Sequence, residues 1–174
     1  MRIRALLSAF FLIAVTWGQA PQPMPHIEGD SLAGRKVVFP DATKGHVAVL
    51  IFGFSRKSKE STAAWGDKLA SEFGTQADPE VYQLPVLEDV PRFIRGMVIS
   101  GIKKGIKEDE RGHFVPIVQG ESELKKLVGY KEPDDAYLIV LNREGQIVRQ
   151  THGPFSNAAY SEIRGAIQSL LEQK

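Results

Sequence analysis

The chain has 174 residues, of which 43% are hydrophobic and 25% charged, a composition that indicates one globular domain with a real core. It contains no cysteine, which excludes thiol–disulfide chemistry, thiolate metal sites and a bacterial lipoprotein anchor. The formal charge is +1, and apart from Arg2 and Arg4 the chain carries 20 basic and 21 acidic residues, so no global positive field favours nucleic acid.

Residues 1–20 have the layout of a secretory signal peptide. Arg2 and Arg4 precede an apolar run over residues 5–17, and small residues and prolines follow it. The run is shorter than the roughly 20 residues that a membrane span needs. Cleavage after Ala20 and cleavage after Gly18 are both compatible with the pattern. If neither site is cut, the segment anchors the chain in the inner membrane with its arginines on the cytoplasmic side. We therefore expect a periplasmic or secreted protein, or an anchored one.

The first half of the body predicts a linker, a hairpin, a strand and a helix. A linker is predicted over residues 21–29 and the folded domain over residues 30–174. Residues 32–40 predict a short hairpin, and the apolar run over 46–54 is typical of a strand that is covered on both faces. Trp65, Leu69 and Phe73 recur every four residues, which predicts a helix that Gly74 ends.

The second half of the chain alternates between the residue patterns of strands and of helices. It predicts a weaker strand over 81–86, a basic amphipathic helix over 91–107, a third strand over 114–118 and a short helix over 121–128. A hairpin follows over 136–141 and 146–150, and a last helix begins near Asn157. This order predicts an α/β fold in which helices flank a mixed sheet.

The order of elements resembles the thioredoxin-like fold. Two stretches carry the resemblance: Leu32-x-Gly34 with the strand that runs into the first helix, and the turn Leu141-Asn-Arg-Glu-Gly145 that precedes the last strand. The middle is similar to the mitochondrial ATP synthase assembly factor family, in the helix over 91–106, the charged turn over 109–114, the Tyr137 strand and residues 146–149. The resemblance implies a thioredoxin-like mixed sheet with an inserted basic amphipathic helix, and an assembly role.

The redox site of thioredoxins is missing from this chain. Thioredoxins carry a Cys-x-x-Cys at the start of the first helix, where this chain has residues 56–60 without a thiol. They also carry a cis-proline ahead of the hairpin. That position falls near Ala136 here, and Pro133 comes too early. The resemblance therefore implies a redox-inactive member, and it excludes copper-carrier roles, which also need cysteines.

A first candidate site lies where the strand over 46–54 meets the next helix. Free N–H groups and the helix dipole favour anions at such an edge, and the residues there add cations and hydroxyls: Ser55, Arg56, Lys57 and Ser58. The alternative is that Ser55 or Ser58 caps the helix and the cations are solvated.

A second candidate site is the basic helix over 91–107. Its cations flank an apolar stripe and include Arg92, Arg95, Lys103 and Lys104. Such a helix suits a membrane surface or a protein partner. The alternative is an ordinary core-facing helix with a charged back.

The histidines show no metal-ligand spacing, and we find no nucleophile elbow or phosphate loop, so no catalytic residue, metal or cofactor is predicted. The leading hypothesis is an exported non-enzymatic interaction or assembly helper for a membrane-associated complex. The alternative is a binder of small anionic ligands, or an enzyme, that uses Ser55–Lys59. A third hypothesis is a purely structural domain.

We expect export to remove the first 18–20 residues, because the basic, apolar and small-residue layout is that of a cleaved signal. Mass spectrometry of the protein purified from its native host measures the N-terminus directly. An intact Met1 in the membrane fraction would show an anchor instead.

Overall fold

The computed structural model describes residues 20–74 and 76–173. The strands are β1 (Gln22–Pro23), β2 (Ile27–Asp30), β3 (Lys36–Phe39), β4 (Ala48–Gly53), β5 (Glu80–Pro85), β6 (Ala136–Leu141) and β7 (Gln146–Gly153). The helices are α1 (Ser58–Phe73), α2 (Arg92–Lys104), α3 (Glu121–Leu127) and α4 (Asn157–Glu172). The main sheet has the order β1-β7-β6-β4-β5, and β2 and β3 form a separate hairpin. Only the β4–β5 pair of the main sheet is parallel, which confirms the predicted mixed sheet.

Strand β4 lies inside the sheet, and all six of its residues are buried. Successive side chains of a strand point to opposite faces, so Leu50 and Phe52 enter one core while Val49 and Ile51 enter the other. The predicted strand with two covered faces is confirmed.

Helices α1 and α4 cover one face of the sheet. The stripe of Trp65, Leu69 and Phe73 packs there against Ile163 and Ile167 of α4. The indole N–H of Trp65 donates to the carbonyl of Gly153 at 3.4 Å, which satisfies its polar atom inside the core. The spacing of the α1 stripe predicted this buried face of the helix correctly.

The other face is covered by α3, the β2–β3 hairpin and residues 114–117. The strand predicted over 114–118 is wrong, because these residues form only isolated bridges with β5 and the residue after it. Val115 N and Ile117 N donate to β5 carbonyls at 2.9 Å each, but Pro85 of β5 has no N–H to donate to the Val115 carbonyl between them.

The linker predicted over residues 21–29 is also wrong. Strand β1 pairs with β7, and β2 pairs with β3, so the hairpin expected at 32–40 begins earlier. Met24 and Ile27 are buried in the core, which ties this segment to the body. The predicted signal segment lies outside the described residues, apart from Ala20.

Gly145 lies in the β6–β7 turn, which packs closely against Pro40. Its φ is +76°, and a Cβ atom there would lie 2.6 Å from Cβ of Pro40. Gly120 has a similar φ of +83°, but a Cβ atom there would meet nothing within 4 Å, so it is a matched control. We expect Gly145→Ala to lower the free energy of unfolding by about 3 kcal/mol, and Gly120→Ala by about 1 kcal/mol, since only the first adds a steric clash. Urea denaturation measures both; equal losses would contradict the close packing.

Candidate functional site

The residues of the first candidate site connect the carboxyl end of β4 with the start of α1. Gly53 ends β4, and a Cβ atom there would lie 2.6 Å from Ser58 Oγ, so glycine lets Ser58 pack against the strand. Ser58 is buried, whereas Arg56 and Lys57 are exposed. The structure therefore brings the backbone of this site together and leaves its two cations in solvent.

The hydroxyl of Ser55 satisfies the first N–H groups of this edge. Its Oγ accepts hydrogen bonds from Lys57 N at 3.0 Å and from Ser58 N at 3.2 Å. Ser58 Oγ donates to the Ser55 carbonyl at 2.8 Å. An anion at Lys57 N and Ser58 N would have to compete with Ser55 for these donors, so the hydroxyl of Ser55 closes the turn ahead of α1.

The cations of this edge border a shallow depression that Lys59, Glu60 and Ala63 also line. Lys57 Nζ lies 3.8 Å from Asp134 Oδ2, and both side chains are largely exposed, so the pair contributes little to stability. The depression offers mobile charges to a ligand, but it lacks buried donors that would orient one.

An aromatic cluster that the sequence did not reveal lies beside this edge. It consists of Phe54, Tyr130, Tyr137 and His152, with ring centroids between 5.2 and 5.6 Å apart for each contacting pair. The hydroxyl of buried Tyr137 donates to the Glu132 carbonyl at 2.8 Å and accepts from two backbone N–H groups at 2.9 Å. These contacts hold the loop ahead of β6, where thioredoxins carry their proline. No spacing in the sequence signalled the cluster, because its members come from separate segments.

An ionic contact closes the cluster on one side. Lys125 Nζ lies 2.6 Å from Glu121 Oε1, and it sits 4.8 Å from the centroid of the Tyr130 ring. The Glu121 carboxylate is the main cause that raises the pKa of Lys125 above its ordinary value. Glu121 N in turn donates to Glu88 Oε2 at 2.6 Å, which links α3 to the loop after β5. Together these contacts fill the edge with the chain's own side chains.

Helix α2 differs from the other long helices, because none of its 13 residues is buried. Phe93 is 88% exposed and Met97 is 72% exposed, and they lie one helical turn apart. The cations that accompany them on the outward side are those of Arg92, Lys103 and Lys104, all of them exposed. We refer to these five residues as the outward face of α2.

Arg95 is not part of that face, which corrects its assignment to the predicted partner surface. Its Nη2 donates to the carbonyl of Glu88 at 2.8 Å and to that of Val90 at 2.9 Å, and its Nε is buried. The guanidinium therefore binds the loop ahead of α2 and orients the helix. The sequence placed Arg95 with the exposed cations because nothing local shows which carbonyls lie within its reach.

Residues 20–74 and 76–173 contain neither a metal-ligand cluster nor a membrane span. They hold no group of three or more histidine and carboxylate side chains arranged for a metal ion. Within the same ranges, no helix has both the length and the apolar character needed to cross a membrane.

Variants of Arg95 and Arg92 form a matched pair that tests whether Arg95 orients helix α2. We expect Arg95→Ala to lower the free energy of unfolding by about 2 kcal/mol, because it deletes two charge-assisted hydrogen bonds to backbone carbonyls. Arg92→Ala should change it by less than about 0.5 kcal/mol, since this side chain is exposed. Urea denaturation of both variants decides the matter, and equal effects would return Arg95 to the solvent-exposed set.

Comparison with known proteins places the fold. No family profile matches the chain, and no curated protein matches its sequence. Among solved structures, the exposed lipoprotein thioredoxin Etrx1 of Streptococcus pneumoniae strain TIGR4 is 18% identical with a TM-score of 0.58, over 84% of this chain and 100% of that one.

Two members of the Sco group are also similar. The SCO1/SenC family lipoprotein of Bacillus anthracis str. Ames is 15% identical with a TM-score of 0.59, over 88% of this chain and 98% of that one. BsSco, a member of the Sco family of cytochrome c oxidase assembly proteins, is 12% identical with a TM-score of 0.60, over 86% of this chain and 94% of that one. The chain therefore has the thioredoxin-like fold, as its sequence predicted.

Proposed function

We propose that this chain is an exported, non-enzymatic thioredoxin-like protein that helps to assemble a membrane-associated complex. The observation that carries the proposal is α2, a long helix that buries none of its residues and presents Phe93 and Met97 among cations. A fold does not need such a helix for its own core, so an interaction is the simplest use of it.

The edge at Ser55–Ser58, where thioredoxins carry their cysteines, supports a role without catalysis. The chain has no cysteine, and its edge is occupied by the capping of Ser55 and by the aromatic cluster. The arrangement supplies neither a nucleophile nor oriented donors for a developing charge. These features favour binding over chemistry.

Two similarities support an assembly role in particular. The middle of the sequence resembles the mitochondrial ATP synthase assembly factors, and BsSco belongs to a family of cytochrome c oxidase assembly proteins. The first eighteen to twenty residues favour export. An exported protein faces away from the catalytic part of ATP synthase, so we propose the helper role and leave its client open.

Deletion of the gene from the native host tests the proposal. The tagged full chain, crosslinked in cells and purified in detergent, should capture one membrane complex, and the deletion should lower the assembled amount of that complex on a native gel. Wild-type protein and the edge variant R56A/K57A should restore assembly, because the edge cations only line an open depression.

Two outcomes would contradict the proposal. Normal assembly in the deletion strain would remove the helper role. Failure of folded R56A/K57A to restore assembly would transfer the function to the edge, as an anionic-ligand binder or enzyme. Insulin reduction by the purified protein serves as a further control, and no activity is expected because the reacting species would be a thiolate.

A further inference from the structure

We infer that the outward face of α2 binds the surface of a phospholipid bilayer that contains anionic lipids. This inference rests on the proposed function and deepens it, because it names the surface that brings the helper to its membrane complex. Phe93 and Met97 would enter the boundary between headgroups and acyl chains, and Arg92, Lys103 and Lys104 would contact lipid phosphates, with the helix in the membrane plane.

Helix α2 exposes two large apolar side chains. Among the residues that the structure describes, Phe93 and Met97 are the large hydrophobic side chains that stand exposed. Both belong to one helix and lie four residues apart, so they project from the same face. Two large apolar side chains that share one protruding face indicate an interaction site more strongly than scattered ones do.

The charged residues of the segment that contains α2 are all basic. The sequence from Val90 to Lys107 contains no acidic residue. Among the described side chains, Lys107 pairs with Glu110 at 3.6 Å, whereas no carboxylate lies within ion-pair distance of Arg92, Lys103 or Lys104. The three cations that flank the apolar pair are therefore available to phosphate groups, and they carry a charge that complements an anionic bilayer.

The shape of the outward face of α2 favours a bilayer over a protein partner or a second copy of this chain. Gly96 and Gly101 lie in open space, so Phe93 and Met97 stand above a low helix surface. A convex face suits a deformable, flat bilayer, whereas a protein partner would need a groove of matching shape. A second copy of this chain would bring the same cations against one another, which repels. Among the described residues, no hydrogen bond fixes the side chains of these cations, as suits contact with mobile headgroups.

The experiment places a reporter within α2 itself, in the protein as the exporting cell leaves it. In Phe93→Trp, the emission of the new tryptophan should shift to shorter wavelength when phosphatidylglycerol-containing vesicles are added, and much less with phosphatidylcholine alone. The parent protein supplies the background of its own tryptophans. Gln168→Trp, on the exposed side of α4, is the matched control and should not shift. A local reporter keeps the result independent of an uncleaved N-terminal segment.

Variants of the outward face of α2 measure how much its cations and its apolar side chains contribute to vesicle binding. R92E/K103E/K104E should weaken binding to the anionic vesicles by about a hundredfold or more, since each of the three near-surface cations contributes about fivefold. The control K59E/K126E/K131E makes the same change in net charge at exposed lysines of other segments and should bind as the wild type does. Phe93→Ser with Met97→Ser should weaken binding about tenfold or more. Raising the salt should weaken the binding of the wild type.

Several results would overturn the inference: no shift of the Phe93→Trp emission on anionic vesicles, equal binding of the two charge-reversed triple variants, or an equal shift on neutral vesicles. If vesicle binding is absent but R92E/K103E/K104E fails to restore complex assembly, the face docks an acidic protein and only the lipid inference fails. If α2-dependent dimers form instead, the occupant is a second copy. If vesicles bind but deletion of the gene leaves assembly normal, only the proposed function fails.

Discussion

The burial of β4 on both faces is the constraint on which the rest of the structure depends. Because Leu50 and Phe52 point one way and Val49 and Ile51 the other, the chain needs cover on both sides of one strand. Helices α1 and α4 supply one cover, and α3 with the β2–β3 hairpin supplies the other. Both cores are then closed without a contribution from a buried residue of α2, which leaves that helix at the surface.

Strand β4 also determines the surroundings of the edge at Ser55–Ser58, where thioredoxins carry their cysteines. Its carboxyl end places Phe54 beside the loop that joins α3 to β6, and the rings of Tyr130 in that loop and Tyr137 in β6 pack against it. Aromatic packing and the Lys125–Glu121 pair hold this loop by noncovalent contacts. These contacts keep the thioredoxin-like scaffold together at this edge in a chain that has no thiol.

The sequence predicts the elements whose burial follows from one period. Strand β4 and the stripe of Trp65, Leu69 and Phe73 are such cases, because their apolar residues lie in long regular patterns. The segment with Met24 and Ile27 was missed, since two apolar residues among prolines form no pattern and are buried only through their tertiary partners. Ser55–Ser58 lie at the junction of a strand and a helix, as the sequence predicted, but the aromatic cluster beside them depends on contacts between distant segments that a local pattern does not contain.

Arg95 shows how the fold turns a charged helix into an oriented surface. A guanidinium that donates to two carbonyls of the loop ahead of α2 fixes the rotation of the helix about its own axis. With Arg95 held inward, helical geometry places Phe93 and Met97 on the opposite side, and Lys104 beside them. The half-buried Ile94, Val98 and Ile102 lie on the same side of α2 as Arg95, so polar and apolar contacts together turn the exposed pair outward. Because contacts within the chain hold α2 in this orientation, its apolar pair faces outward whether or not a partner is present.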